Sequence, residues 1–226
     1  MKKIILLTTL IFSGCQTQTL NTSPQTTQVA TSVKTETVAT TKAQKKFLID
    51  DRGIGKAKLG MTITELKQIS DQDVSFEVIS SFMPDTSAIA VNHEGIVQYY
   101  IVYPAGSTLN SDGIPTDDDL ISILMTDNQD YKTKEGVKVG TPIAEAEKIY
   151  GNAILAYNAE GESREYVTFS KSNLDNIRFQ ASYFKLISDG LGYSGIYPEY
   201  PGVSYTTDKY RPDSAIAGIE VSVQPQ

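Results

Sequence analysis

Two residues that could carry chemistry occur once each in this chain, His93 and Cys15. A Ser-His-Asp hydrolase would need His93 as its base. However, His93 lies in Asn-His-Glu-Gly, a string typical of a hairpin turn. The string Gly192–Gly195 comes nearest to a G-x-S-x-G elbow but lacks its spacing. We therefore expect a solvated turn histidine and no enzymatic activity.

An acidic stretch, NSDGIPTDDDL, could offer oxygen ligands to calcium. Its spacing is not that of an EF-hand loop, and no Glu closes it. The favoured interpretation is a turn made by Asp112-Gly113 and Pro115, with no metal and no cofactor. Carboxylate pairs for glycoside hydrolysis stay open as a lesser alternative, because no pair stands out by context. The carboxylates of the acidic stretch that could offer oxygen ligands to calcium are Asp112, Asp117, Asp118 and Asp119.

Cys15 ends the stretch MKKIILLTTLIFSGC. Its apolar run is too short to span a hydrocarbon core of about 30 Å, so it predicts a targeting segment. Ser13-Gly14-Cys15 resembles a bacterial lipobox, although Phe12 stands where Leu is usual. The resemblance implies a signal peptide over 1–14, diacylglycerol on the Cys15 sulfur and an acylated new amino terminus. The alternative is an ordinary secretory signal with an incidental cysteine.

Residues 15–46 are predicted to be a disordered tether, because they contain many Thr and Gln and no aromatic residue. The acylated Cys15 would bind the lipid bilayer and hold the protein in the bacterial cell envelope. An Asp directly after the lipidated cysteine tends to retain lipoproteins in the inner membrane. Gln16 stands at that position instead. We therefore expect the outer membrane as the location, with the domain facing the periplasm. The remaining 180 residues carry a net charge of −12, which disfavours nucleic acid as a partner.

Two similar words, KLGMTITELKQI and KVGTPIAEAEKI, lie eighty residues apart at 58–69 and 138–149. Each predicts an extended piece, a glycine that turns because a Cβ would clash, and a helix. Thr62 and Thr141 are the predicted caps, with Pro142 at the first helical position. Residues that alternate with period two follow each word and predict antiparallel strands.

This repeat predicts the α+β class, with two tandem helix-plus-antiparallel-meander units packed as one pseudo-symmetric domain. The predicted bounds are 47–126 for the first unit and 127–226 for the second. The second unit carries a tyrosine-rich insert at 190–210.

The insert is the predicted partner-binding site, because tyrosines give large, rigid contact area with a polar tip. It could bind an envelope protein or a glycan. The alternative is a long loop that packs its own tyrosines over the open end of the sheet. The tyrosines predicted to bind are Tyr193, Tyr197, Tyr200 and Tyr205, and the insert also contains Tyr210.

The glycine–threonine–helix–meander order is similar to modules of the outer-membrane assembly lipoprotein BamE and of tandem β-lactamase inhibitor proteins. Gly53-Ile54-Gly55 and the segment at 136–151 more closely resemble uncharacterised RpoE-regulated lipoproteins of enteric bacteria. These resemblances bring no catalytic residues. The predicted function is a non-enzymatic envelope lipoprotein that acts through protein contacts in envelope assembly or maintenance. The alternative is an exported binding or inhibitor module that captures a soluble ligand or enzyme between the two units.

Overall fold

The computed structural model describes residues 47–83, 86–104, 106–160, 164–172, 174–182, 186–187, 190–199 and 202–223. The signal peptide, Cys15, the tether and Tyr200 lie outside the described residues, so the statements about them stay predictions.

Strands dominate the described part of the chain. Its two helices are α1 (Ile63–Ile69) and α2 (Ile143–Tyr150). Its fifteen strands are β1 (Leu48–Asp50), β2 (Gly53–Ile54), β3 (Ala57–Lys58), β4 (Val74–Met83), β5 (Thr86–His93), β6 (Ile96–Pro104), β7 (Ile123–Thr126), β8 (Lys132–Thr133), β9 (Ala153–Asn158), β10 (Glu165–Phe169), β11 (Ile177–Ser182), β12 (Leu186–Ile187), β13 (Gly190–Leu191), β14 (Ser204–Thr207) and β15 (Gly218–Ser222).

The largest sheet has nine strands in the order β14-β9-β10-β11-β15-β7-β6-β5-β4, and all its pairs are antiparallel. A four-stranded sheet has the order β3-β2-β1-β8, in which β1 and β8 are parallel. Strands β12 and β13 form a separate pair.

The predicted fold class is wrong: the described residues are mostly β and do not form tandem α+β units. The helices have only seven and eight residues, whereas both halves of the chain contribute strands to one continuous sheet. Strand β7 pairs with β15 at its centre, where Leu124 lies opposite Val221. A short helix covers little of a sheet, so α1, α2 and the four-stranded sheet share a single buried core. The domain bounds 47–126 and 127–226 stay a prediction.

The two helices begin differently, although their sequences predicted similar starts. Thr62 caps α1 in the predicted capping box, in which its side chain accepts from the Glu65 N–H. At α2, Pro142 occupies the N-cap position without a side-chain hydrogen bond. The Thr141 hydroxyl instead accepts from the Lys138 N–H, so the predicted cap is wrong.

The glycines before the two helices turn for a reason other than the predicted one. Gly60 and Gly140 have φ of +83° and +86°, and an added Cβ would meet nothing closer than 3.8 Å. The left-handed backbone, and not a clash, therefore favours glycine at both positions.

The nine-stranded sheet curls strongly. Arg164, just before β10, places Nη1 3.0 Å from the Met83 Sδ at the end of β4. These strands stand six places apart in the sheet, which would separate them by about 29 Å if the sheet were flat. The curl encloses the face opposite the helices, where Val102 and Met125 are both only 3% exposed.

Neither helix in the described residues has the length and apolar character that a membrane-spanning helix requires.

Candidate functional site

Three of the predicted binding tyrosines come together around Tyr157 of β9. We call the cluster of Tyr157, Tyr193, Tyr197 and Tyr205 the tyrosine edge. The Tyr157 ring stacks between Tyr193 and Tyr205, with centroid distances of 4.1 and 4.7 Å. Tyr197 meets Tyr157 edge-on at 4.7 Å. All four side chains are half-buried, so neither full burial nor full exposure describes them.

Glu165, the first residue of β10, fixes the segment that carries these tyrosines. Its carboxylate has no exposed surface. It accepts hydrogen bonds from the Ser194 and Gly195 N–H groups, both at 2.7 Å, and from the Tyr197 hydroxyl at 2.8 Å. Three neutral groups thus donate to one buried carboxylate, and a buried charge requires such hydrogen bonds.

Tyr210 also donates a hydrogen bond from its phenol to a carboxylate. Its hydroxyl donates to Glu147 Oε2 at 2.7 Å. Burial, followed by this carboxylate, raises the pKa of Tyr210 to about 12. Burial also raises the pKa of Tyr197, and Glu165 adds to the shift. Both phenols therefore stay protonated as donors at neutral pH, and both act within the fold.

Apolar side chains extend the tyrosine edge towards solvent. Ile196 is 53% exposed and Val203 is 45% exposed. They flank β14, which is the last strand on its side of the nine-stranded sheet. The Val203 carbonyl accepts from the Ala159 N–H, and the Ile196 carbonyl accepts from the Thr207 hydroxyl. The exposed side chains are therefore held on an ordered backbone.

A second surface lies on the curled face of the sheet, opposite the helices. We call it the arginine groove; its cavity has a volume of about 310 Å³. Its apolar side comes from β4 to β7 and its charged side from β10, β11 and β15. It is lined by Met83, Thr86, Val102, Pro104, Ile123, Met125, Arg164, Tyr166, Arg178 and Glu220.

The charged side of the groove is built around Arg178. Its guanidinium lies 4.5 Å from the centroid of the Tyr166 ring and donates twice to Glu220 Oε1, at 2.6 and 3.2 Å. Burial lowers the pKa of Arg178, but Glu220 outweighs it and the pKa is raised. The Glu220 side chain is 6% exposed and that of Arg178 is 43% exposed.

His93 and Asp119, which were first considered for catalysis and metal binding, have partners within the fold. His93 Nε2 lies 2.8 Å from Asp73 Oδ2, beside the predicted hairpin turn. Buried Asp119 accepts from the Leu109 and Thr116 N–H groups, so this carboxylate shapes its own loop. Within the described ranges, no group of three His, Cys, Asp or Glu residues could hold a metal ion.

Sequence reasoning missed the residues that organise both surfaces: Tyr157, Glu165, Arg178 and Glu220. Tyr157 had a signal, because Ala153, Leu155 and Tyr157 alternate along one face of β9. No sequence signal pointed to Glu165 or Glu220, because the groups that donate to them lie 29 or more residues away in sequence.

Comparisons with known proteins find similarity to solved structures. The chain is similar to the crystal structure of the uncharacterized protein yfeY from Escherichia coli, with 15% identity and a TM-score of 0.44. The alignment covers 77% of this chain and 99% of that one. No family model matches the chain, and no curated protein matches it. The predicted likeness to an uncharacterised bacterial protein holds at this coarse level, and it carries no argument about function.

Proposed function

We propose that the protein is a lipid-anchored lipoprotein of the bacterial envelope, of non-enzymatic type, which acts through protein contacts in envelope assembly or maintenance. Acylated Cys15 attaches it to the membrane, with the outer membrane as the proposed location. The tether at 15–46 carries the β domain away from the bilayer.

The tyrosine edge is the observation that carries this proposal. Protein interfaces are enriched in tyrosine, and the edge combines half-buried stacked rings with exposed Ile196 and Val203. Glu165 holds the Tyr197 segment in place before any partner arrives. Such pre-organisation lowers the entropy cost of binding. We therefore propose that another envelope protein docks on this edge.

Site-specific photo-crosslinking in living cells tests the docking surface. A photoreactive amino acid at Ile196 or Val203 should give one discrete crosslinked species of higher mass. Ile96, which is 61% exposed in the β5–β6 hairpin, is the matched control and should give none. Equal crosslinking from all three positions would contradict the proposal.

Metabolic labelling with a fatty acid tests the anchor separately. The wild-type chain should incorporate the label and fractionate with membranes, and the Cys15→Ser variant should do neither. An unlabelled mature wild-type protein would show that Cys15 is not acylated.

The arginine groove favours a second candidate function, an exported binding module that captures a soluble ligand. The groove takes residues from both halves of the chain, between Met83 and Glu220. This candidate does not depend on contacts at the tyrosine edge.

A further inference from the structure

We propose that strand β4 is a dimerisation edge, along which the same strand of a second copy of this chain pairs in the antiparallel direction. The twofold axis of the dimer passes beside Phe76. Strand β4 ends the nine-stranded sheet on the side opposite to β14 and the tyrosine edge. The proposal therefore does not depend on the envelope partner proposed for the tyrosine edge.

Strand β4 offers backbone hydrogen-bonding groups along its outer side. It is the longest strand in the described part of the chain, with ten residues, and within that part it pairs with β5 alone. In an antiparallel pair, alternate residues point their N–H and C=O groups away from the neighbouring strand. On the last strand of a sheet these groups form a template for a strand of another chain.

The first six residues of β4 lack the features that usually prevent such pairing. Edge strands are commonly protected by proline, by several charged side chains or by a bulge. Residues 74–79, which we call the β4 edge, contain one charged side chain, Glu77, and no proline. They pair with β5 one to one, and the register shifts only between Ile79 and Met83. A second strand can therefore pair regularly along the β4 edge.

One face of the β4 edge carries apolar side chains that the domain covers only in part. Val74, Phe76 and Val78 alternate on the core side of the sheet, where Phe76 lies opposite buried Val91 of β5. Val74 and Phe76 are half-buried at the margin of the core, and Val78 is 47% exposed. A strand added to β4 would bury the remaining apolar surface of these side chains.

Side-chain pairing favours a second copy over an unrelated strand. Directly opposite residues of an antiparallel pair project from the same face of the sheet and contact each other. With the axis beside Phe76, Val78 of one copy lies opposite Val74 of the other. Ser75 lies opposite Glu77, and both of these side chains are exposed. The serine hydroxyl donates to the carboxylate, and twofold symmetry makes this contact twice.

Charge and regularity disfavour the neighbouring positions of the axis. An axis beside Glu77 would place two Glu77 carboxylates directly opposite each other, and like charges in that arrangement destabilise a strand pair. An axis beside Ser75 would place Glu77 opposite Asp73, with the same consequence. An axis beside Val78 would extend the pairing past Ile79, where β4 becomes irregular. Phe76 is therefore the position that the strand favours.

The contact is small, so we expect a dimer that dissociates on dilution. A single strand edge is smaller than the roughly 1,600 Å² interface of stable complexes. The acylation proposed at Cys15 would confine both copies to one membrane surface and raise their effective concentration. The dimer would carry one tyrosine edge at each end of a continuous sheet, because β14 ends the sheet in each copy.

Cysteine crosslinking of the full-length protein in cell membranes tests the register. Two differently tagged copies are produced together, one with Ser75→Cys and the other with Glu77→Cys. Opposite residues have Cα atoms about 4.5–5.5 Å apart, which is within disulfide range, whereas like cysteines would stand more than about 7 Å apart. After mild oxidation we expect disulfides mainly between unlike copies. Tagged wild-type copies, which retain Cys15, are the control and should form none.

Charge substitutions at Ser75 test the same contact without a covalent bond. Sedimentation equilibrium of the acylated full-length mature protein in detergent, over a range of concentrations, gives the dissociation constant of the dimer. Ser75→Lys faces Glu77 and should lower this constant about fivefold, whereas Ser75→Glu should raise it by a similar factor.

Thr168 provides the matched control for these charge substitutions. It is exposed on β10, an interior strand of the same sheet. Thr168→Lys and Thr168→Glu change the net charge as the Ser75 variants do, and they should leave the dissociation constant unchanged. Circular dichroism would establish that each variant keeps the wild-type fold.

Four results would overturn the proposal: a wild-type protein that is monomeric at every concentration, disulfides that form equally between like and unlike copies, shifts of the dissociation constant in the same direction for Ser75→Lys and Ser75→Glu, or crosslinking of the β4 cysteines to a different protein instead. None of them bears on crosslinking at Ile196, so failure of the β4 edge and failure of the docking surface are distinguishable.

Discussion

Two buried glutamates on the nine-stranded sheet, Glu165 and Glu220, have carboxylates that are stabilised by different kinds of partner. Glu165 accepts hydrogen bonds from three neutral groups, namely two backbone N–H groups and a phenol. Glu220 is paired with a guanidinium that remains 43% exposed. The first arrangement closes a segment onto the domain, and the second presents a charged side chain to a cavity. The Glu165 carboxylate thus fixes a segment of the tyrosine edge, and the Glu220 carboxylate positions the Arg178 guanidinium.

The comparison predicts unequal costs when each carboxylate is neutralised. Glu165→Gln leaves three buried donors facing an amide that can accept fewer of them, so we expect a loss of about 3 kcal/mol in the free energy of unfolding. Glu220→Gln should cost only about 1 kcal/mol, because Arg178 can turn towards water. Urea unfolding followed by circular dichroism measures both values.

Glu199→Gln is the matched control for this pair, because Glu199 is exposed. It should change the free energy of unfolding by less than about 0.5 kcal/mol. Equal losses in the free energy of unfolding for Glu165→Gln and Glu220→Gln would contradict the proposed difference between the two sites.

Alkaline pH should act on the carboxylate-bound phenols. The pKa of Tyr210 is raised to about 12, whereas tyrosine in an unfolded chain titrates near pH 10. A raised pKa in the folded state means stability that is complete below about pH 10 and is lost as the pH rises towards about 12. Phenolate absorbance should therefore lag behind that of the urea-unfolded chain. Coincident titration curves would show that these phenols are not held by the fold.

Removing one of the groups that donate to Glu165 should lower the free energy of unfolding less than neutralising the Glu165 carboxylate does. Tyr197→Phe keeps the ring contacts and loses one hydrogen bond to a charged group, which should cost about 1.5 kcal/mol. Tyr205→Phe is the control, since its hydroxyl donates to the exposed Gly202 carbonyl and its loss should cost less than about 0.5 kcal/mol. A larger loss for Tyr205→Phe would place the organising contact elsewhere in the cluster.

Local structure was readable in the sequence where one short stretch decides it. The Thr62–Glu65 capping box and the hairpin between His93 and Ile96 follow from neighbouring residues. The cap at α2 was not predictable in the same way, because Pro142 takes the N-cap position and Thr141 bonds backwards to Lys138.

The sheet was not predictable, because its order depends on pairing between distant segments. Period-two alternation predicts strands but does not say that β7 lies beside β15. The curl that brings Arg164 to Met83 likewise depends on the twist summed over six strand-to-strand steps. Tyr193, Tyr197 and Tyr205 were predictable by composition, whereas Tyr157 was missed. Glu165, which accepts from the Tyr197 hydroxyl, was one of many similar acidic residues.

Hydrogen–deuterium exchange at Ser194 and Gly195 tests most directly whether the tyrosine edge is a preformed surface. Both amides donate to Glu165, so they should exchange as slowly as the amides of β10 and much faster in Glu165→Gln. Exchange in the wild-type protein at the rate of an open loop would contradict this account of the edge.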